Sequence, residues 1–120
     1  MFREATIDYI THNADLSEFA LYLVESGPWP DPARDRLLPL QERIYTIVDV
    51  VLDGQLASDY PDSKGKRVRV EVVFRGSPPP EDALRMIARL DEYICSSPEY
   101  APVAIRSGLL SSLRIVCSAE

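Results

Sequence analysis

The chain has 120 residues, 46% of them apolar, a share that excludes a disordered polypeptide and suits one globular domain over residues 1–120. A domain of this length buries roughly 65% of the surface its unfolded chain exposes, so it needs no disulfide or metal staple. A net charge of −6 and a pI near 4.8 repel nucleic acid, and the apolar stretches fall far short of the ~20 residues that span a bilayer.

The amino-terminal residues Met1-Phe2-Arg3-Glu4-Ala5-Thr6 lack the apolar core of a signal peptide, which points to a cytoplasmic protein. Residues 5–10 are rich in β-branched and aromatic side chains and predict a first strand. Residues 11–17 are turn-forming. Residues 18–25 are apolar on both faces and predict a second strand, central in its sheet and antiparallel to the first.

The junction Ser26-Gly27-Pro28-Trp29-Pro30-Asp31-Pro32 leads into a helical pattern. Asp31-Pro32 has the form of a cap followed by proline in the first turn, yet Pro39 disfavours helical geometry at Leu38. A broken start is therefore expected, with the main helix over residues 39–58. Leu40, Ile44, Ile47, Val48, Val51 and Leu52 define its buried face. Gly54 weakens or ends this helix, and Tyr60-Pro61 stops it.

Residues 67–75 alternate, with Val68, Val70, Val72 and Phe74 on one face and Arg67, Arg69, Glu71 and Val73 on the other. After the run Gly76-Ser77-Pro78-Pro79-Pro80, a second long helix is expected from Pro80, with Ala83, Ile87, Leu90 and Ile94 buried. Residues 99–109 are irregular, with one helical turn near 103–106, and residues 111–118 form a last strand. The predicted fold is an α/β (α+β) two-layer sandwich of order β-β-α-β-α-β, with a four-stranded mixed sheet and both helices on one face. The open face would carry Asp8, Arg69, Glu71, Arg114, Ile10 and Val116.

Glu25 stands where a buried strand hands over to a helix, and strand ends are where α/β folds build ligand sites. With Asp8 on the neighbouring strand it could hold Mg²⁺ through carboxylate oxygens. A hairpin with one acid per strand, then a helix and a parallel strand, resembles the core of restriction-endonuclease-like nucleases. That family places a lysine two residues after the second acid, and here the position is Gly27. Asp8 and Glu25 are thus the candidate catalytic pair of an alternative, degenerate nuclease reading.

His12 is the lone histidine and has no set of companion ligands, and a serine or cysteine nucleophile would need this same residue as its base. Cys95 and Cys117 read as small buried hydrophobes, and no nucleotide-binding motif occurs. No cofactor and no metal are expected. The basic run Lys64, Lys66, Arg67, Arg69 and Arg75 reads first as a charged edge strand protected against pairing, and second as a patch for an anionic partner.

Trp29, stiffened by flanking prolines, reads as a cover over the sheet end or as an anchor for a partner. The candidate binding residues are Glu25, Trp29, Tyr22, Arg67 and Arg69. The run Ile7-Asp8, Leu21-Tyr22-Leu23-Val24-Glu25 with Trp29, Leu40-Gln41-Glu42-Arg43, Val51-Leu52-Asp53-Gly54-Gln55-Leu56 and Tyr60-Pro61 before Gly65-Lys66 resembles a group of small bacterial proteins with a domain of unknown function. That resemblance covers residues 5–75 and implies a compact bacterial cytoplasmic protein without catalytic residues. The expected role is a protein-interaction or self-associating module, with protein partners and neither nucleic acid nor membrane. An immunity or antitoxin-like inhibitor of a basic toxin is a further alternative.

Overall fold

The computed structural model describes residues 7–30 and 33–120. Strands β1 (Tyr9–His12) and β2 (Glu18–Ser26) form the expected antiparallel hairpin. Helix α1 (Arg34–Leu52), the short helix α2 (Gln55–Asp59) and a 3₁₀ turn at Pro61–Ser63 lead to strand β3 (Arg67–Arg75), parallel to β2. Helices α3 (Glu81–Ser96) and α4 (Ala101–Arg106) lead to strand β4 (Ser112–Ala119), parallel to β3. The mixed sheet has the order β1-β2-β3-β4.

The helices share one hydrophobic cluster with one face of the sheet. Leu21 and Leu23 of β2, the alternating residues Val68–Phe74 of β3, and Leu113 and Ile115 of β4 meet Ile44, Ile47, Val48 and Val51 of α1 and Ala83, Ile87, Leu90 and Ile94 of α3. These are the positions picked out by period 2 in the strands and period 3.6 in the helices. Burial of each large side chain is worth about 1.5–3 kcal/mol, so this cluster is the main source of stability.

Three expectations need correction. The first concerns β1, which runs over residues 9–12 rather than 5–10; residues 5 and 6, like the whole of Met1–Thr6, lie outside the described residues. Its phase is also one residue off. Ile10 pairs with Leu21 and packs on the core, while Tyr9 and Thr11 face away from the helices. Asp8 is likewise on the helix side, reaching Arg43 of α1. The turn decides this. Asn13 accepts at Oδ1 from Glu18 N at 3.0 Å and donates Nδ2 to Ser17 Oγ at 2.8 Å, and a one-residue shift in closure exchanges the two faces of a strand.

The second correction concerns α1, which begins at Arg34 and carries Pro39 inside it, then ends at Leu52 instead of running to residue 58. The suggested cap Asp31-Pro32 lies outside the described residues. Gly54, with φ +90°, separates α1 from α2. Interior proline costs a helix about 3 kcal/mol, and the N-cap position Ala33 offers no side-chain hydrogen bond. Local preference therefore opposes residues 34–38, and a tertiary interaction described below holds them helical.

The third correction concerns the basic run. β3 is a central strand, between β2 and β4, so its charges do not guard an edge. Arg69 instead donates to Glu18, to Glu71 Oε1 at 2.9 Å and to the Tyr22 hydroxyl at 3.0 Å, forming a network across the open face. The free edge of β4 is protected by α3. Asp91 Oδ1 accepts from Ile115 N at 2.8 Å, Cys95 Sγ donates to Leu113 O at 2.8 Å, and Arg114 wraps over the edge to Asp91 Oδ2 at 2.8 Å. Two backbone groups that would pair with another strand are thereby occupied.

Burial alone would raise the Asp91 carboxyl, but hydrogen bonds from Arg114 and the Ile115 N–H, with the Arg114 charge, hold it below its ordinary value. A folded-state pKa below the unfolded one means that this contribution is complete above about pH 4 and is lost as pH falls through the lowered value. Asp91→Ala should cost about 2 kcal/mol at neutral pH by stranding the Ile115 N–H and the arginine. Urea unfolding checks this: the gap between the two proteins should narrow as the pH falls below about 4, and a gap independent of pH would assign the loss to packing.

Candidate functional site

Strands β2 and β3 end side by side, Ser26 opposite Arg75, and each is followed by a glycine in the left-handed region, Gly27 at φ +81° and Gly76 at φ +86°. Gly27 N donates to Arg75 O at 3.0 Å, locking the two exits together. A side-chain-bearing residue in this conformation is disfavoured by about 1–2 kcal/mol. Gly27 is also the position at which the nuclease pattern calls for lysine, so the turn that launches α1 is incompatible with that pattern.

Beyond Gly27 the chain folds Trp29 back over the end of the sheet. Its ring lies 5.9 Å from that of the buried Phe74, and the Arg36 guanidinium carbon sits 4.2 Å above its face. Trp29 remains half-buried. Its exposed side opens on a shallow cleft of about 560 Å³, walled by Pro28, Pro30, Ala33, Ser77, Pro78, Pro80 and Asp82. Trp29 thus covers the end of the sheet and keeps one side outward.

Glu25 lies directly beneath this wall, on the helix side of β2 and only 8% exposed. Its Oε1 accepts from Arg36 Nη2 at 2.8 Å and its Oε2 from Arg43 Nη1 at 2.7 Å. Arg36 also donates Nη1 to Pro28 O at 3.2 Å, and Arg43 Nη2 lies 3.5 Å from Asp8 Oδ2, which accepts from Val24 N at 2.6 Å. Asp8 and Glu25 therefore do come together, but around Arg43. Two carboxylates and two guanidinium groups leave the cluster with no net charge. Among the described residues, Arg43 Nε and Trp29 Nε1 are buried without a hydrogen-bond partner.

A cation at Asp8 and Glu25 would have to displace Arg43 from both and Arg36 from one. Among the described residues no group of three or more His, Cys, Asp or Glu side chains is placed to hold a metal ion. His12 is at the other end of β2, opposite Phe19 and about 20 Å along the strand from Glu25. Its Nδ1 lies 3.0 Å from Asn13 O. Burial pushes the Cys95 thiol up to about 11, with the Asp91 carboxylate adding to the effect, so it stays protonated at neutral pH.

The remaining candidates fall elsewhere. Tyr22, Arg67 and Arg69 lie on the opposite face of the sheet, where Tyr22 stacks on Tyr9 with ring centroids 4.4 Å apart and Arg67 reaches Ser17 Oγ at 3.4 Å. They do not form one site with Glu25 and Trp29. The residues that sequence reasoning missed are Arg36 and Arg43. The signal was there: seven residues apart on a helix, they share a face two turns apart, and a buried strand-end acid requires a cationic partner.

Breaking a buried ion pair from one side strands its partner, at about 3–5 kcal/mol. Glu25→Gln should destabilise the protein by up to that amount, since Arg36 and Arg43 keep some solvent contact, and speed amide hydrogen exchange at residues 36–38 more than in α3. Uniform protection would remove the ion pair as the support of the α1 start. Gly27→Lys should cost about 1–2 kcal/mol through backbone strain in the left-handed conformation, read as a lower urea midpoint.

Among the described residues, no helix is long and apolar enough to cross a membrane. No curated protein and no solved structure matches the chain. The model of a family of unknown function, DUF6572, matches residues 1–99, and the chain belongs to that family.

Proposed function

We propose that the chain is a non-catalytic protein-interaction module of a bacterial cytoplasm, and that its partner docks at the Trp29 cleft. The observation that carries this reading is the occupation of both Glu25 oxygens by arginines, one of which stacks on Trp29. The acid at the strand end serves as a clamp that stiffens an aromatic and proline wall, and each of its oxygens is already engaged by a guanidinium group. A surface already ordered loses little conformational entropy on binding, which favours affinity. Tryptophan is enriched among the residues that dominate interface energies.

A homodimer through the open sheet face is the second reading, favoured by the exposed Tyr9 stacked on Tyr22. Capture of partners from a native-host extract, comparing wild type with Trp29→Ala, tests the first reading. A specific partner should be lost at least tenfold with the variant, as expected for a central aromatic anchor. Equal recovery by both proteins would remove Trp29 from the interface. Sedimentation at rising concentration tests the dimer, and a species of constant monomer mass would eliminate it.

A further inference from the structure

The Trp29 cleft shares Asp82 with a second depression, of about 330 Å³, between α1 and α3. Because both helices follow parallel strands and return across the same face, they run side by side in the same direction. Its aliphatic lining is Leu37 and Met86, which pack against the core, and Leu38, which is 60% exposed. The rim is cationic, made by Arg34, Arg85 and Arg89.

Arg85 is held by Glu81 and Asp82, but those pairs are exposed and contribute little. Among the described residues Arg89 has no ion-pair partner. Three arginines against Glu81 and Asp82 leave a local excess of one positive charge, on a chain whose net charge is −6. Charges more than about 8 Å away are largely screened at physiological salt, so the rim governs a partner seated in the groove.

We infer that the α1–α3 groove receives an acidic amphipathic helix of a partner protein, an inference that rests on the reading of the chain as an interaction module. The seat between two parallel helices is filled by a third helix, whose apolar residues at i, i+3 or i+4, and i+7 cover Leu37, Leu38 and Met86. Aspartate or glutamate flanking that stripe pairs with Arg85 and Arg89, which are themselves one helical turn apart. Where the groove meets the Trp29 cleft at Asp82, the end of the docked helix comes within reach of the tryptophan.

Selection of a random 16-residue peptide library on the intact protein tests this, with affinities of the enriched peptides measured by fluorescence anisotropy on wild type, Arg89→Glu and Trp29→Ala. Arg89→Glu is a surface change, whereas Trp29→Ala removes a half-buried ring, so circular dichroism checks first that both variants are folded. The expected result is enrichment of peptides with an apolar stripe of helical period flanked by acids. Their affinity should fall about tenfold or more on Arg89→Glu and weaken with salt. If that fall occurs while Trp29→Ala binds normally, the groove stands and the Trp29 reading fails. If peptides bind through Trp29, lack acids and ignore Arg89→Glu, the interaction reading stands and the acidic-helix inference is overturned. Enrichment of basic peptides, or of none, also overturns it.

Discussion

The carboxylate of Glu25, held between Arg36 and Arg43, is the interaction on which most of this architecture depends. It joins the carboxyl end of β2 to the first three turns of α1, across a junction crowded with proline. Without it, residues 34–38 would have no cap at Ala33 and an interior Pro39 to overcome. With it, the helix begins a turn and a half before the proline, and Arg36 lies over Trp29 in a fixed orientation. A buried ion pair adds little stability over an apolar contact of equal volume, but it permits few geometries. Its role here is to choose one helix start and one tryptophan position among several that the hydrophobic core would tolerate.

The same logic of satisfied polar groups explains the sheet. β3 carries the arginines expected of an edge strand, yet lies at the centre because α1 and α3 each return the chain to a parallel neighbour. Its open face is neutralised within itself by Glu18, Glu71 and the Tyr22 hydroxyl around Arg69. The true edge, β4, is closed by an aspartate and a cysteine from the helix above it. Partial burial of Cys95 keeps its thiol protonated at neutral pH, as a hydrogen-bond donor to an edge carbonyl.

These features separate two kinds of surface. The open face is a polar lattice whose charges already have partners. The end of the molecule where β2 and β3 finish is different: a stiff proline and tryptophan wall runs into a leucine and methionine groove with an arginine rim. Adjacent parallel strands ending together, each turning through a left-handed glycine, create that concavity, as they do in α/β folds generally.

Much was legible in the amino-acid order. The alternation of Val68, Val70, Val72 and Phe74 and the helical spacing of Ala83, Ile87, Leu90 and Ile94 specify element type and buried face, because each period is a local property of the backbone. Proline placement marked the start of α3, whereas Gly54 left open whether the first helix ended there or ran on to residue 58. What the tertiary structure alone decided is which polar groups meet. The face assigned to Asp8 and Ile10 turned on closure of one hairpin at Asn13, and the place of β3 turned on where β4 docks. Whether Asp8 and Glu25 were a pair of free ligands or the two sides of an arginine clamp turned on residues eleven and eighteen positions further along the chain. Local sequence sets periodicity, whereas charge partners are brought together only by packing, and it is the partners that determine what a buried acid can do.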